Sequence, residues 1–162
     1  MCIILKKALY ILFTLVLCIS LVGCGDKEKE SASKVSTSSS LTDIMEQLYD
    51  GIPEDNLPMA LENTELNDEN FKYYAFADIK YKEAIASESM TGSIAHSVVL
   101  IRLENKKDSD TAVKEIKEKA DPRKWICVEA ENTYVLAKDD LVLLIMSGEN
   151  ADTIKENFEK IK

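Results

Sequence analysis

A single histidine, His96, occurs in the 162 residues. That excludes a metal site built from several imidazoles and leaves one side chain that titrates near neutral pH. Glycine (5) and proline (3) are scarce, so collagen-like and low-complexity classes are excluded. The four cysteines include no Cys-x-x-Cys pair, and there is no Asp-x-Asp-x-Asp-Gly calcium loop, Gly-rich phosphate loop or Gly-x-Ser-x-Gly elbow. Positive charge is also short. Twenty basic residues face 29 acidic ones, a net charge of −9. Such a surface repels phosphate, so nucleic acid is not an expected partner. No cofactor and no metal are expected.

Long apolar runs are missing except near the start. Lys6 and Lys7 precede Ala8 to Val22, 15 residues without a charge. A membrane-spanning helix needs about 20 apolar residues, so this run has the length of a signal-peptide core instead. It ends in Leu21-Val22-Gly23-Cys24, which resembles a bacterial lipobox. That resemblance implies a diacylglycerol on the Cys24 thiol and cleavage before it. One acyl chain holds a protein only marginally, whereas two give stable attachment. The expected partner is therefore the membrane, through the lipid on Cys24, with the protein on the extracytoplasmic face. Removing residues 1–23 leaves 139 residues and, with two lysines gone from a balance of −9, a net charge of −11. Cys2 and Cys18 leave with the signal, so Cys127 keeps no disulfide partner. Lysine outnumbers arginine 18 to 2, which suits an A/T-rich, Gram-positive genome.

Residues 24–40 are expected to form the lipidated cysteine and a disordered tether. Gly25 to Ser40 is Ser-rich and charged, with Val35 its one large apolar residue. Sixteen such residues span roughly 20–25 Å on average.

Residues 41–162 are expected to fold as one domain. Leu41, Ile44, Met45 and Leu48 recur at helical spacing behind the capping pair Ser40 and Asp43, and Gly51 ends that helix. Residues 52–70 read as irregular, and 71–79 as aromatic-rich without a clear state. Glu83 to Met90 alternates weakly. Val98-Val99-Leu100-Ile101, within Ser97–Leu103, is a near-continuous apolar run, as is Leu141–Met146. Such runs suit strands buried in the centre of a sheet. Helices are expected over 108–120 and 150–161, and further strands at Ile126, Val128 and Ala130 and at 133–137. Short turns favour antiparallel pairing. The expected fold is α+β, a two-layer sandwich with an antiparallel sheet of four to five strands and about three helices packed on one face.

No catalytic residue is assigned. His96 with Ser93 or Ser97 would suit nucleophilic hydrolysis, but no orienting carboxylate is visible, and a hydrogen-bonded histidine at the start of a strand is the favoured reading. Cys127 is the one thiol outside the signal and lipidation site. The favoured reading packs it near Trp125 as a small hydrophobe, with a nucleophilic role as the alternative. Arg123-Lys124-Trp125 reads as a solvated turn with a core tryptophan. The acidic residues Glu62, Glu65, Asp68 and Glu69 read as solvated surface.

Several segments together resemble a known family. The lipobox, the Ser-rich tether, Ser93-Ile94-Ala95-His96-Ser97-Val98-Val99-Leu100, Asp121-Pro122-Arg123-Lys124-Trp125-Ile126-Cys127-Val128 and Asp140-Leu141-Val142-Leu143-Leu144-Ile145-Met146-Ser147 are similar to small uncharacterised lipoproteins of Firmicutes, mostly clostridia. The resemblance implies an envelope location and carries no catalytic or binding residues. The expected function is a membrane-anchored module that binds an envelope protein or wall ligand, or serves a larger complex. The alternative is an envelope hydrolase using His96 with Ser93, Ser97 or Cys127.

Overall fold

A computed structural model describes residues 35–162. The expected signal peptide, Cys24 and the tether up to residue 34 lie outside the described residues. Five strands, β1 (Leu61–Glu65), β2 (Tyr81–Ser89), β3 (Ser97–Leu103), β4 (Asn132–Lys138) and β5 (Leu141–Ser147), form one antiparallel sheet in the order β1-β2-β3-β5-β4. Four α-helices accompany it among the described residues: α1 (Leu41–Leu48), α2 (Phe71–Ala75), α3 (Ser109–Lys119) and α4 (Ala151–Lys160). The α+β sandwich with an antiparallel sheet is thus as expected.

The two apolar runs become β3 and β5, paired at the centre with Leu100 opposite Leu143. Every residue of both strands is buried. Consecutive side chains on a strand point to opposite faces, so an unbroken apolar run needs cover on both sides. Ile44, Met45 and Leu48 of α1 with Ile154 and Phe158 of α4 cover Val98, Leu100, Leu143 and Ile145. On the opposite face, Phe71 and Ala75 of α2, Ala112 and Ile116 of α3, and Trp125 cover Val99, Ile101, Val142, Leu144 and Met146. The helices therefore divide between two faces, which corrects the expectation of three on one.

Local signals explain most element ends. Ser40 Oγ accepts the Asp43 N–H at 3.1 Å and caps α1. Asp139 takes the left-handed backbone (φ +56) that the two-residue turn between β4 and β5 requires.

Three further expectations change. Leu61–Glu65, read as loop, is an edge strand, because its pairing with β2 supplies the hydrogen bonds its polar sequence does not advertise. The alternation at Ile126, Val128 and Ala130 does not make a strand. Residues 120–131 contain neither helix nor strand, and Ile126 is 99% exposed. The tether's end is not free either. Arg102, buried on β3, donates from Nη1 to the Thr37 carbonyl at 2.5 Å and from Nη2 to the Ser39 carbonyl at 2.7 Å. The Thr37 N–H reaches the Lys162 carbonyl at 2.7 Å. Residues 37–40 are seated on the domain, which moves its edge outward from Leu41.

Candidate functional site

Strand register brings several buried polar residues together at one end of the sheet, the end opposite Arg102. Glu88, Ser97 and Met146 are neighbours across β2, β3 and β5, and the adjoining residues Ser89, His96 and Ser147 face the other way. Two polar clusters result, one on each face.

On the face of α1 and α4, His96 is 1% exposed. Its Nδ1 lies 2.7 Å from Ser147 Oγ and its Nε2 lies 2.8 Å from the hydroxyl of Tyr49, the residue that closes α1. Burial lowers the His96 pKa from 6.5 to about 4. Burial likewise raises the Tyr49 phenol above its ordinary value. The chain Tyr49–His96–Ser147 is therefore neutral at pH 7. A neutral imidazole offers one donor and one acceptor, so the two hydroxyls take complementary roles around it. A cavity of about 340 Å³ opens here, lined by His96 and Ser147 with Glu129, Glu131 and Glu149 at its exposed edge.

Chemically, this is a weak acid–base site. Serine activation needs a base that accepts a proton and a carboxylate that stabilises the resulting imidazolium. A conjugate acid of pKa near 4 makes a poor base at neutral pH. The third position holds a neutral phenol. Ser93 lines the cavity on its exposed side, but the hydroxyl that meets His96 is that of Ser147. Ser97 Oγ turns to the other face and donates to Glu88 Oε2 at 2.9 Å. Cys127 is exposed and does not line the cavity. The packed position expected for it near Trp125 is not formed, because the irregular segment that buries Trp125 leaves Cys127 in solvent. His96 directly precedes β3 and is buried with both ring nitrogens hydrogen-bonded.

The second cluster lies on the face of α2 and α3. Lys124 Nζ donates to Glu88 Oε2 at 2.6 Å, with the lysine side chain 4% exposed. The rings of Tyr73, Tyr74, Trp125 and Phe76 have centroids 4.7, 5.0, 5.4 and 5.9 Å from that ammonium. Burial lowers the Lys124 pKa, and the Glu88 contact opposes the shift. The solvated turn expected here is thus a buried ion pair in an aromatic cage, although Trp125 is in the core as expected.

Ser147 and Tyr49 were not singled out by the sequence. Ser147 was reachable, since antiparallel pairing of the two apolar runs sets the end of β5 beside the start of β3. Tyr49 and Glu88 carried no such signal. Among the described residues, no group of three or more His, Cys, Asp or Glu is placed to hold a metal ion. No known family, curated protein or solved structure matches this chain.

Proposed function

We propose that the protein is a lipid-anchored extracytoplasmic module of the cell envelope that works by binding and not by catalysis. The observation that carries the location is Leu21-Val22-Gly23-Cys24 behind a basic start and a 15-residue uncharged run. The Ser-rich, charged stretch that follows Cys24 agrees with it. Among the described residues no helix is long and apolar enough to cross a membrane. Binding is favoured because the one histidine has both ring nitrogens engaged and its protonation pushed down to about 4. The acidic edge of the cavity and the net charge favour a cationic ligand there.

The Cys24→Ala variant, expressed in a Gram-positive host, is expected to lose membrane fractionation and to stay unprocessed. Unchanged fractionation and processing would refute the lipid anchor.

One observation favours a second reading, a serine hydrolase. Ser147 Oγ sits 2.7 Å from His96 Nδ1 beside a cavity. A fluorophosphonate probe separates the two readings. Binding predicts no labelling of Ser147, whereas labelling that His96→Gln abolishes would establish the hydrolase.

A further inference from the structure

The Lys124 side chain is only 4% exposed, yet it is carried by a segment with no helix or strand whose residue Ile126 is 99% exposed. The groups around its ammonium come mainly from the framework. Tyr73 and Tyr74 lie on α2, Phe76 follows α2 directly, Glu88 is on β2 and Ser97 on β3. Aromatic faces together with one carboxylate replace water around a cation, and this is the chemistry of ammonium recognition.

Two further features set the cluster apart from a plain structural ion pair. Phe76 holds a left-handed backbone at φ +57, a costly conformation for an aromatic residue. The indole Nε1 of Trp125 is buried and unpartnered. A buried ion pair also stabilises a fold little compared with apolar residues of the same size. Packing alone gives no reason for a charge here.

We propose that this cage is a binding site for a primary alkylammonium group, the lysine side chain of a partner protein, and that Lys124 fills it when no partner is bound. The Nζ–Oε2 distance of 2.6 Å is a hydrogen bond, which needs an N–H. A quaternary ammonium has none, so the site selects a primary amine. The partner's lysine replaces Lys124 on Glu88, and the Lys124 side chain swings out to solvent while Trp125 stays in the core as a wall of the cage. The acidic net charge complements such a partner. Because Lys124 competes intramolecularly, with an effective concentration on the order of millimolar, free amines bind weakly and a polypeptide lysine needs added contacts.

The test uses the full chain in detergent micelles with ¹³C-labelled lysine. The Lys124 ε-protons lie among aromatic rings and are expected upfield of the exposed lysines, with Lys155 over Tyr134 the other ring-shifted one, and are assigned by their loss in Lys124→Ala. Titration with n-butylammonium chloride to about 100 mM, at constant ionic strength, is expected to move them to the position of exposed lysines. The peptide acetyl-Gly-Lys-Gly-amide should do the same. Tetramethylammonium should be roughly tenfold less effective, the factor expected from one lost charge-assisted hydrogen bond. Lys124→Ala should bind n-butylammonium roughly tenfold more tightly than the native chain, and adding Glu88→Gln should remove that gain. Lys124 signals that stay upfield at the highest amine and peptide concentrations would overturn the proposal. Release by phosphatidylethanolamine vesicles but not by the peptide would overturn the assignment to a protein lysine.

Discussion

His96 and Lys124 show how far burial alone can move a charge. Both shifts have burial as their largest cause, and both favour the neutral form. For His96 the consequence can be worked out with its sign. The unfolded chain takes up a proton near pH 6.5, while the folded chain resists until about 4. The contribution of His96 to stability is therefore full above pH 6.5 and is lost as pH falls through that window, by up to about 3 kcal/mol. Urea unfolding at pH 7 and pH 5 should show a loss of about 2 kcal/mol over that interval, where carboxylates stay largely ionised. In His96→Gln the same comparison should be nearly flat. A native chain as stable at pH 5 as at pH 7 would contradict the buried, neutral imidazole bridging Tyr49 and Ser147.

At the scale of elements, β3 and β5 carry the fold because they are apolar on both faces. Leu143 is fully buried beneath α1 and α4 and stands opposite both Leu100 and Leu136. Leu143→Ala should cost about 2–5 kcal/mol in equilibrium unfolding. Leu136→Ala, on the half-buried edge strand β4, should cost distinctly less. Equal losses would mean that burial is not what ranks these strands. Here the sequence was most legible, since α1, α3 and α4 and both central strands follow from apolar spacing. β1 was not, because Leu61-Glu62-Asn63-Thr64-Glu65 is mostly polar and becomes a strand only by pairing with β2. Segment 120–131 misled for the opposite reason. Its Ile126, Val128 and Ala130 alternate like a strand, but the backbone turns instead, with Asp121 Oδ1 accepting the Arg123 N–H at 2.9 Å.

At the scale of the whole molecule, Arg102 joins the domain to the segment that leads back toward Cys24. It is buried against Glu83 at 2.6 Å and Asp140 at 3.5 Å while holding the Thr37 and Ser39 carbonyls. The ordered chain therefore begins before Leu41, and residues 37–39 are held at a defined point. Arg102→Ala should free residues 36–40, raising the rate of subtilisin cleavage there roughly tenfold while the rest of the domain stays resistant. Unchanged cleavage would show that Arg102 does not hold the strap.

The sequence by itself determined the elements with strong apolar spacing, the antiparallel α+β class and the acidic balance, because each is written in local order or simple composition. The tertiary structure alone decided that helices cover both faces, since apolar runs show a need for cover without showing where it comes from. It alone decided that His96 meets Ser147 and Tyr49, while Lys124 meets Glu88 and four rings. Those partners lie 36 to 51 residues apart for the hydrogen-bonded pairs. Contacts at such separations follow from strand register and helix docking, which no local pattern encodes.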